Sequence, residues 1–316
     1  MNSLKNKNIL SLQDLDYDEI NIILNLAKKL KQELRSTLSS NKSLLDGKIL
    51  GMIFQKPSTR TRVSFETGML QLGGNTVYLG MNDLQLSRGE SIEDTAKTLS
   101  LYLDCLMARV YDHKDIQSLA FNSTIPVING LSDMFHPCQI LADLLTIQEY
   151  KKQFDGLKLA WIGDGFNVCN DLLLGCAKTG INMIAASPSG YEPLDWIVKL
   201  AKKEGIKTGS NISITNSPND AVKNADIIVT DTFVSLGKDH ERSIREKIFL
   251  PKYQVNLDLI KFAKEDAIFM HCLPAKRGQE VTSEIIDGKQ SVVWSEAENR
   301  LHVQKALLYL LMTEKN

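Results

Sequence analysis

The sequence has no apolar stretch long enough to cross a membrane. Its longest runs, such as Leu307 to Met312, stop far short of the ~20 residues a spanning helix needs. The polar, basic residues 1–8 are followed by no apolar segment, so no secretory signal is expected. Cysteine is sparse, five residues in 316 at positions 105, 138, 169, 176 and 272, with no C-x-x-C pair and no metal-like pairing with the five histidines. Neither a disulfide framework nor a bound metal is expected, and reduced thiols in a cytoplasm fit the pattern. Neither sign of charge is in excess: the formal net charge is −1, so bulk charge points to neither nucleic acid nor an anionic membrane surface. Any anion site must be local. Internal repeats and low-complexity tracts are also missing.

What is present is an ordinary globular composition, 43% hydrophobic and 24% charged, on a chain long enough for two domains. Residues 12–34 carry Leu15, Ile20, Ile23, Leu24, Leu26, Ala27 and Leu30 at helical spacing. A polar connection, Ser36 to Lys48, ends in the turn signal Asp46-Gly47. Strands are expected over 48–55, 75–79, 105–108 and 125–129. Helices are expected over 63–71, 92–102 and 136–152, and the polar stretch 81–91 reads as a flexible loop. Asp155-Gly156 opens a second half, with strands at 157–162, 181–186, 211–215, 226–230 and 267–271 and helices at 168–179, 194–204 and 257–264. Val292-Val293-Trp294 reads as a last strand and 297–311 as a terminal helix. Strands and helices alternating twice over predict an α/β protein of two doubly wound lobes, each with a mainly parallel sheet flanked by helices.

One stretch organises the first half. Ser58-Thr59-Arg60-Thr61-Arg62 stands where an apolar strand stops and a helix starts, with Val63, Phe65, Met69 and Leu70 as that helix's apolar members. Helix starts expose unpaired N–H groups and partial positive charge, and guanidinium forks match phosphate or carboxylate oxygens. A plain capped helix start, with Ser58 as the cap, reads the same residues without a ligand.

Ligands of open α/β sheets gather beyond the carboxyl ends of strands. The first half places Ser58 to Arg62, Arg109 and His136 there; the second places Asp164, Asn167, Asp231, Ser235 and His271-Cys272. Each has a dull reading: surface arginine, helix cap, turn residue, buried thiol. Their joint placement is what lifts them. The first set is cationic and hydroxylic and the second acidic and amide, which predicts an anionic substrate on one side and an amine on the other. Gly163-Asp164-Gly165 invites a dinucleotide fold, but Val168 stands where the fingerprint needs glycine and the next strand ends without an acid, so a nicotinamide oxidoreductase is not expected.

Seven segments together resemble the aspartate/ornithine carbamoyltransferase family, on its ornithine-type side: FQKPSTRTRVSFE (54–66), QLSRGES (85–91), FHPCQILADLL (135–145), WIGDGFN (161–167), DTFVSLG (231–237), HCLPAKR (271–277) and ENRLH (298–302). The resemblance runs from about residue 50 to the last helix. It implies a carbamoyl phosphate-binding domain over 1–150, an ornithine-binding domain over 151–296, a terminal helix 297–316 packed back on the first domain, and two interdomain helices. It further implies that Ser58, Thr59, Arg60 and Thr61 hold the phosphate, that Arg109 contacts phosphate and carbonyl, and that His136 and Gln139 bind the carbamoyl group. Arg300 would complete the pocket and Gln85 would reach a neighbouring subunit's site. Asn167, Asp231, Ser235 and Leu236 would hold ornithine, with Cys272 and Leu273 beside its δ-amine. The family implies a homotrimer or multiple of it and no metal or organic cofactor.

The chemistry agrees with that implication. An alkylammonium must lose a proton before it attacks the carbamoyl carbon, and Asp231 or Cys272 could accept or orient that proton. Arg60, Arg109 and His136 would steady charge on the carbonyl oxygen. Three departures stand out: Leu236 where methionine is usual, Asp171 where serine is common, and Ser87 where glycine is common. Putrescine or an acylated ornithine as acceptor, and a non-catalytic carbamoyl phosphate-binding paralogue, are the alternatives. The Asn167, Asp231 and Ser235 set favours a zwitterionic head group, and intact Arg60, Arg109, His136 and Cys272 favour catalysis.

Overall fold

The computed structural model describes residues 4–36, 43–235 and 237–314. Leu236 and part of the 36–48 connection lie outside the described residues. The chain divides into two compact units, one of Met1–Leu145 with Glu298–Asn316, the other of Thr146–Ala297.

In the first unit, α1 (Tyr17–Ser36) precedes β1 (Ile49–Phe54), α2 (Thr59–Gln71), β2 (Asn75–Gly80), α3 (Ile92–Ser100), β3 (Cys105–Arg109), α4 (His113–Asn122), β4 (Val127–Leu131) and the start of α5 (Pro137–Lys151). Its sheet is wholly parallel, ordered β2-β1-β3-β4. Leu50, Met52, Ile53, Cys105, Leu106, Met107 and Ala108 are all buried. Parallel strands covered on both faces read as continuous apolar runs, which is why these were legible. Each leucine, isoleucine and methionine among them contributes about 1.5 to 3 kcal/mol on burial.

The second unit holds the rest of α5, then β5 (Lys158–Ile162), α6 (Asn167–Thr179), β6 (Asn182–Ala186), α7 (Asp195–Thr208), β7 (Ile212–Thr215), α8 (Pro218–Val222), β8 (Ile227–Thr230), α9 (Arg242–Phe249), α10 (Leu257–Ile260), β9 (Ile268–His271), α11 (Ser283–Ile286) and the start of α12 (Val293–Met312). Its sheet, again parallel, runs β7-β6-β5-β8-β9. The two-lobed α/β architecture is as the alternation predicted, and α5 and α12 each carry the chain across the division.

Both sheets reverse direction beside their first strand, between β1 and β3 and between β5 and β8. Each reversal uses the same device. Asp104 Oδ2 accepts the Ile49 N–H at 2.9 Å while its other oxygen takes Lys48 Nζ at 2.8 Å. Asp226 Oδ2 accepts the Lys158 N–H at 2.9 Å while its other oxygen takes Lys264 Nζ at 2.7 Å. These pairings anchor the amino ends of the switch strands, leaving a crevice site to form at their carboxyl ends.

Several local readings are corrected. Val293 and Trp294 open α12 and form no strand; only an isolated bridge joins Phe269 to Ser291. α2 starts at Thr59, four residues before the expected start, and Val63 and Leu70 are exposed while Phe65 and Met69 are buried. The loop after β2 contains a 3-10 turn, Gln85–Arg88. Helix α4 was not foreseen, although Asp112 caps it and Ile116, Leu119 and Ala120 form its buried stripe.

Candidate active site

In the first unit the carboxyl ends of β1 and β3 present the cationic set. Ser58 caps α2 with extended backbone, its hydroxyl 3.4 Å from the Thr61 N–H and 3.1 Å from Thr61 Oγ1. Arg60 follows in the first helical turn, where the unpaired N–H groups point outward. Arg62 is turned away: its guanidinium lies 4.0 Å from the Tyr78 ring centroid and 3.5 Å from Glu66. Of the knot's two forks, Arg60 is the one whose charge acts on the buried His136.

Arg109 ends β3, paired in register with Phe54. Gln55 fixes the turn beyond it, donating its backbone N–H to the Arg109 carbonyl at 2.9 Å, accepting the Tyr111 N–H at 2.8 Å and donating to Asp115 at 2.8 Å. His136 reaches the site on a loop locked from below. Asn129 donates to the Leu10 carbonyl at 2.8 Å and accepts from the Leu131 N–H at 3.0 Å, and His113 Nδ1 lies 2.9 Å from Ser132 Oγ. Pro137 then starts α5 at a position where a missing N–H costs nothing.

From α12, Arg300 donates to Gln139 Oε1 at 2.7 Å and to Thr61 Oγ1 at 3.4 Å, and Gln139 donates to Asp143 at 2.9 Å. Arg300 and Gln139 are buried, which fixes the guanidinium before any ligand arrives. His136 is buried as well, and burial, then the charges of Arg300, Arg109 and Arg60, hold its pKa well below the ordinary value of 6.5. It is a neutral hydrogen-bonding imidazole among three guanidiniums. Thr59 and Gln85 are exposed, and Ser87 uses its hydroxyl on the Leu84 carbonyl at 2.9 Å.

In the second unit the switch strands β5 and β8 present Asp164, Asn167, Asp231 and Ser235. Two glycines shape the first turn for reasons unrelated to dinucleotides. Gly163 has φ +138°, and a Cβ on Gly165 would stand 2.1 Å from the Pro193 nitrogen. Asn167 opens α6, its Oδ1 accepting the Val168 N–H at 2.9 Å; Asp171, one turn on, is fully buried. Ser235 donates to Asp164 Oδ2 at 2.6 Å, and Arg245 of α9 donates to the same oxygen at 2.6 Å and to the Phe233 carbonyl at 3.1 Å. Arg245 also holds Glu241 at 2.7 Å. The sequence reading gave Arg245 no place, although it secures the whole turn after β8. Ser235, with its hydrogen on Asp164, offers lone pairs.

Cys272, beyond β9, donates its thiol hydrogen to Asp231 Oδ1 at 3.2 Å. Burial raises the Asp231 pKa above the ordinary 3.8, opposed by the hydrogen bonds from the Cys272 thiol and the Thr232 N–H. Asp231, His271 and Cys272 bring ligand-type atoms within 4.8 Å of one another, a grouping the thiol and imidazole spacing did not announce. Both His271 nitrogens are already engaged, Nδ1 with the Leu273 N–H and Nε2 with Glu280, so the group is a hydrogen-bonded one.

Known proteins resemble the chain over both halves. The chain matches the carbamoyl-P binding domain of aspartate/ornithine carbamoyltransferases over residues 7–149 and their Asp/Orn binding domain over 155–311. It is 51% identical to the ornithine carbamoyltransferase of Carboxydothermus hydrogenoformans, covering 98% of this chain and 99% of that one. It is 52% identical to the anabolic ornithine carbamoyltransferase of Pyrococcus furiosus, covering 98% of each. A solved ornithine carbamoyltransferase structure from Pyrococcus furiosus superposes with TM-score 0.94 over 98% of each chain at 52% identity, and one of an ornithine transcarbamoylase from Giardia lamblia with 0.88 over 98% and 99% at 30%. On the fold, both domain matches and these identities, the chain belongs to the aspartate/ornithine carbamoyltransferase family.

Proposed function

We propose that the chain transfers the carbamoyl group of carbamoyl phosphate to the δ-amine of L-ornithine, giving L-citrulline and phosphate. The observation that carries this reading is the first unit's pocket, in which a buried neutral His136 stands among Arg60, Arg109 and Arg300. Three fixed positive charges suit a phosphate dianion. A neutral imidazole supplies a hydrogen bond to a carbonyl without adding a fourth charge. Ser58, Thr59, Arg60 and Thr61 grip the phosphate at the α2 start, and Gln139, set by Arg300, meets the carbamoyl amide.

The second unit supplies the acceptor's contacts. Asn167 offers an amide donor at the start of α6, where a carboxylate is favoured. Asp231 and the lone pairs of Ser235 suit an ammonium. Of the two candidates for proton acceptor, Asp231 is the better placed, because Cys272 already donates to it. The δ-nitrogen, once deprotonated, attacks the carbamoyl carbon; the carbon–oxygen bond to phosphate breaks and phosphate leaves with that electron pair. Charge on the carbonyl oxygen is stabilised by Arg60, Arg109 and His136, a contribution of about 3 to 4 kcal/mol per well-placed donor.

The anabolic name of the Pyrococcus furiosus relative supports the biosynthetic direction. A trimer or multiple of trimers, with Gln85 lent to a neighbouring subunit, is supported by Gln85 standing exposed on the 85–88 turn and by exposed Val63, Leu70 and Val77. A cytoplasmic setting fits the composition, and among the described residues no helix is long and apolar enough to cross a membrane.

The reading is tested by following citrulline and phosphate with a panel of amines. Ornithine should support turnover, with putrescine and N-acetylornithine at least about a hundredfold weaker, since each lacks or masks a paired head-group charge. Equal turnover with putrescine would reject the ornithine assignment.

A further inference from the structure

The loop after β9 turns on His271, whose ring is fully buried, as is Glu280 nine residues on. The Leu273 backbone N–H points at His271 Nδ1 from 2.9 Å. A backbone amide can only donate, so Nδ1 carries no hydrogen. The ring hydrogen is therefore on Nε2, which faces Glu280 Oε1 at 3.1 Å. That same oxygen accepts the Lys276 N–H at 2.5 Å, and the His271 backbone N–H donates to buried Glu296 at 2.9 Å. Both ring nitrogens are spent inside the protein, so His271 has neither lone pair nor proton to offer a substrate, although it adjoins Cys272.

What the ring holds is backbone. Leu273 has φ +56°, a left-handed conformation that leucine rarely takes unaided. The Leu273 N–H bond to Nδ1 closes a short ring around Cys272 and keeps the 272–273 peptide in that conformation. From there the Cys272 thiol meets Asp231 Oδ1. The position demands an acceptor and a donor on opposite sides of one small ring, which histidine alone supplies in a single fixed tautomer.

We propose that His271 is a positioning residue, a tautomer-fixed clamp between Glu280 and the Leu273 amide that aims the Cys272 thiol at Asp231. The inference rests on the reading of Asp231 and Cys272 as the amine's contacts. Two substitutions separate the clamp's halves. His271→Asn puts an oxygen where Nδ1 sits and can keep the Leu273 bond; His271→Gln puts a donor near Nε2 and loses it. The other four cysteines are buried, so alkylation by iodoacetamide reports Cys272 directly, without turnover.

The expected result for His271→Gln is Cys272 labelling about fivefold faster, as the thiol loses a hydrogen bond. Its KM for ornithine should rise about tenfold while that for carbamoyl phosphate holds. His271→Asn should shift both readouts less. A folded His271→Gln enzyme with wild-type labelling and wild-type ornithine KM would overturn the proposal, as would equal rises in both KM values. If a melting scan shows either variant unfolded, Glu280→Gln against Glu280→Leu decides. The amide keeps an acceptor for Nε2–H and the Lys276 N–H, so it should lie nearer wild type in labelling than leucine does, and identical effects would overturn the clamp. A wild-type protein that made no citrulline would instead defeat the functional reading, with the labelling test still in force.

Discussion

At the scale of single residues, the proposed site withholds charge at one position and supplies it at three others. His136 stays neutral because burial and the neighbouring Arg300, Arg109 and Arg60 all oppose its cation. Unfolded, the same imidazole takes a proton near pH 6.5. As pH falls below that value the unfolded state binds the extra proton, and stability drops by up to about 1.4 kcal/mol per pH unit. His113, also lowered by burial, acts in the same direction. His136→Gln should therefore flatten the loss of stability between about pH 6.5 and 5.5 in urea unfolding; pH dependences parallel to wild type would contradict the neutral assignment. Arg60 carries the opposite role. Arg60→Ala should cost about a hundredfold to a thousandfold in kcat, and a loss under tenfold would remove it from the reacting centre.

At the scale of elements, what matters is how strand ends are furnished. The turn after β8 depends on a buried pair, Asp164 with Arg245, joined at 2.6 Å across 81 residues of chain. Asp164→Ala leaves Arg245 with Glu241 as its remaining carboxylate and should destabilise the fold by about 1.5 to 3 kcal/mol in urea unfolding, the range for a lost hydrogen bond to a charged group; a loss below about 1 kcal/mol would show the pair to be dispensable. The pairing also explains what the sequence could and could not disclose. Strands β1, β3, β5 and β8 were legible because strands buried on both faces are continuous apolar runs, and topology then told which residues stand at their ends. Asp231 and Arg109 could be found that way. Arg245, His271 and Glu280 could not, since their importance lies in partners that no local pattern reveals. Short helices α8 and α9 escaped for want of a full apolar stripe. Val292-Val293-Trp294 misled by β-type composition: Val293 is buried inside the first turn of α12 while Trp294 faces solvent.

At the scale of the whole molecule, the chain sorts its chemistry by unit, three guanidiniums and a neutral imidazole in one and paired carboxylate, thiol and amide groups in the other. If Gln85 completes a neighbour's site, inactive Gln85→Ala and inactive His136→Ala chains, mixed in equal amounts and reassembled at random, should recover about a quarter of total wild-type activity in a trimeric arrangement, because about one site in four is then intact; no recovery would confine each site to one chain. The division of substrates between the units is tested most directly by Asp231→Asn, assayed for each substrate in turn. Loss of the carboxylate should raise the ornithine KM about tenfold to a hundredfold, while the KM for carbamoyl phosphate stays within about threefold of wild type. Equal weakening of both substrates would contradict it.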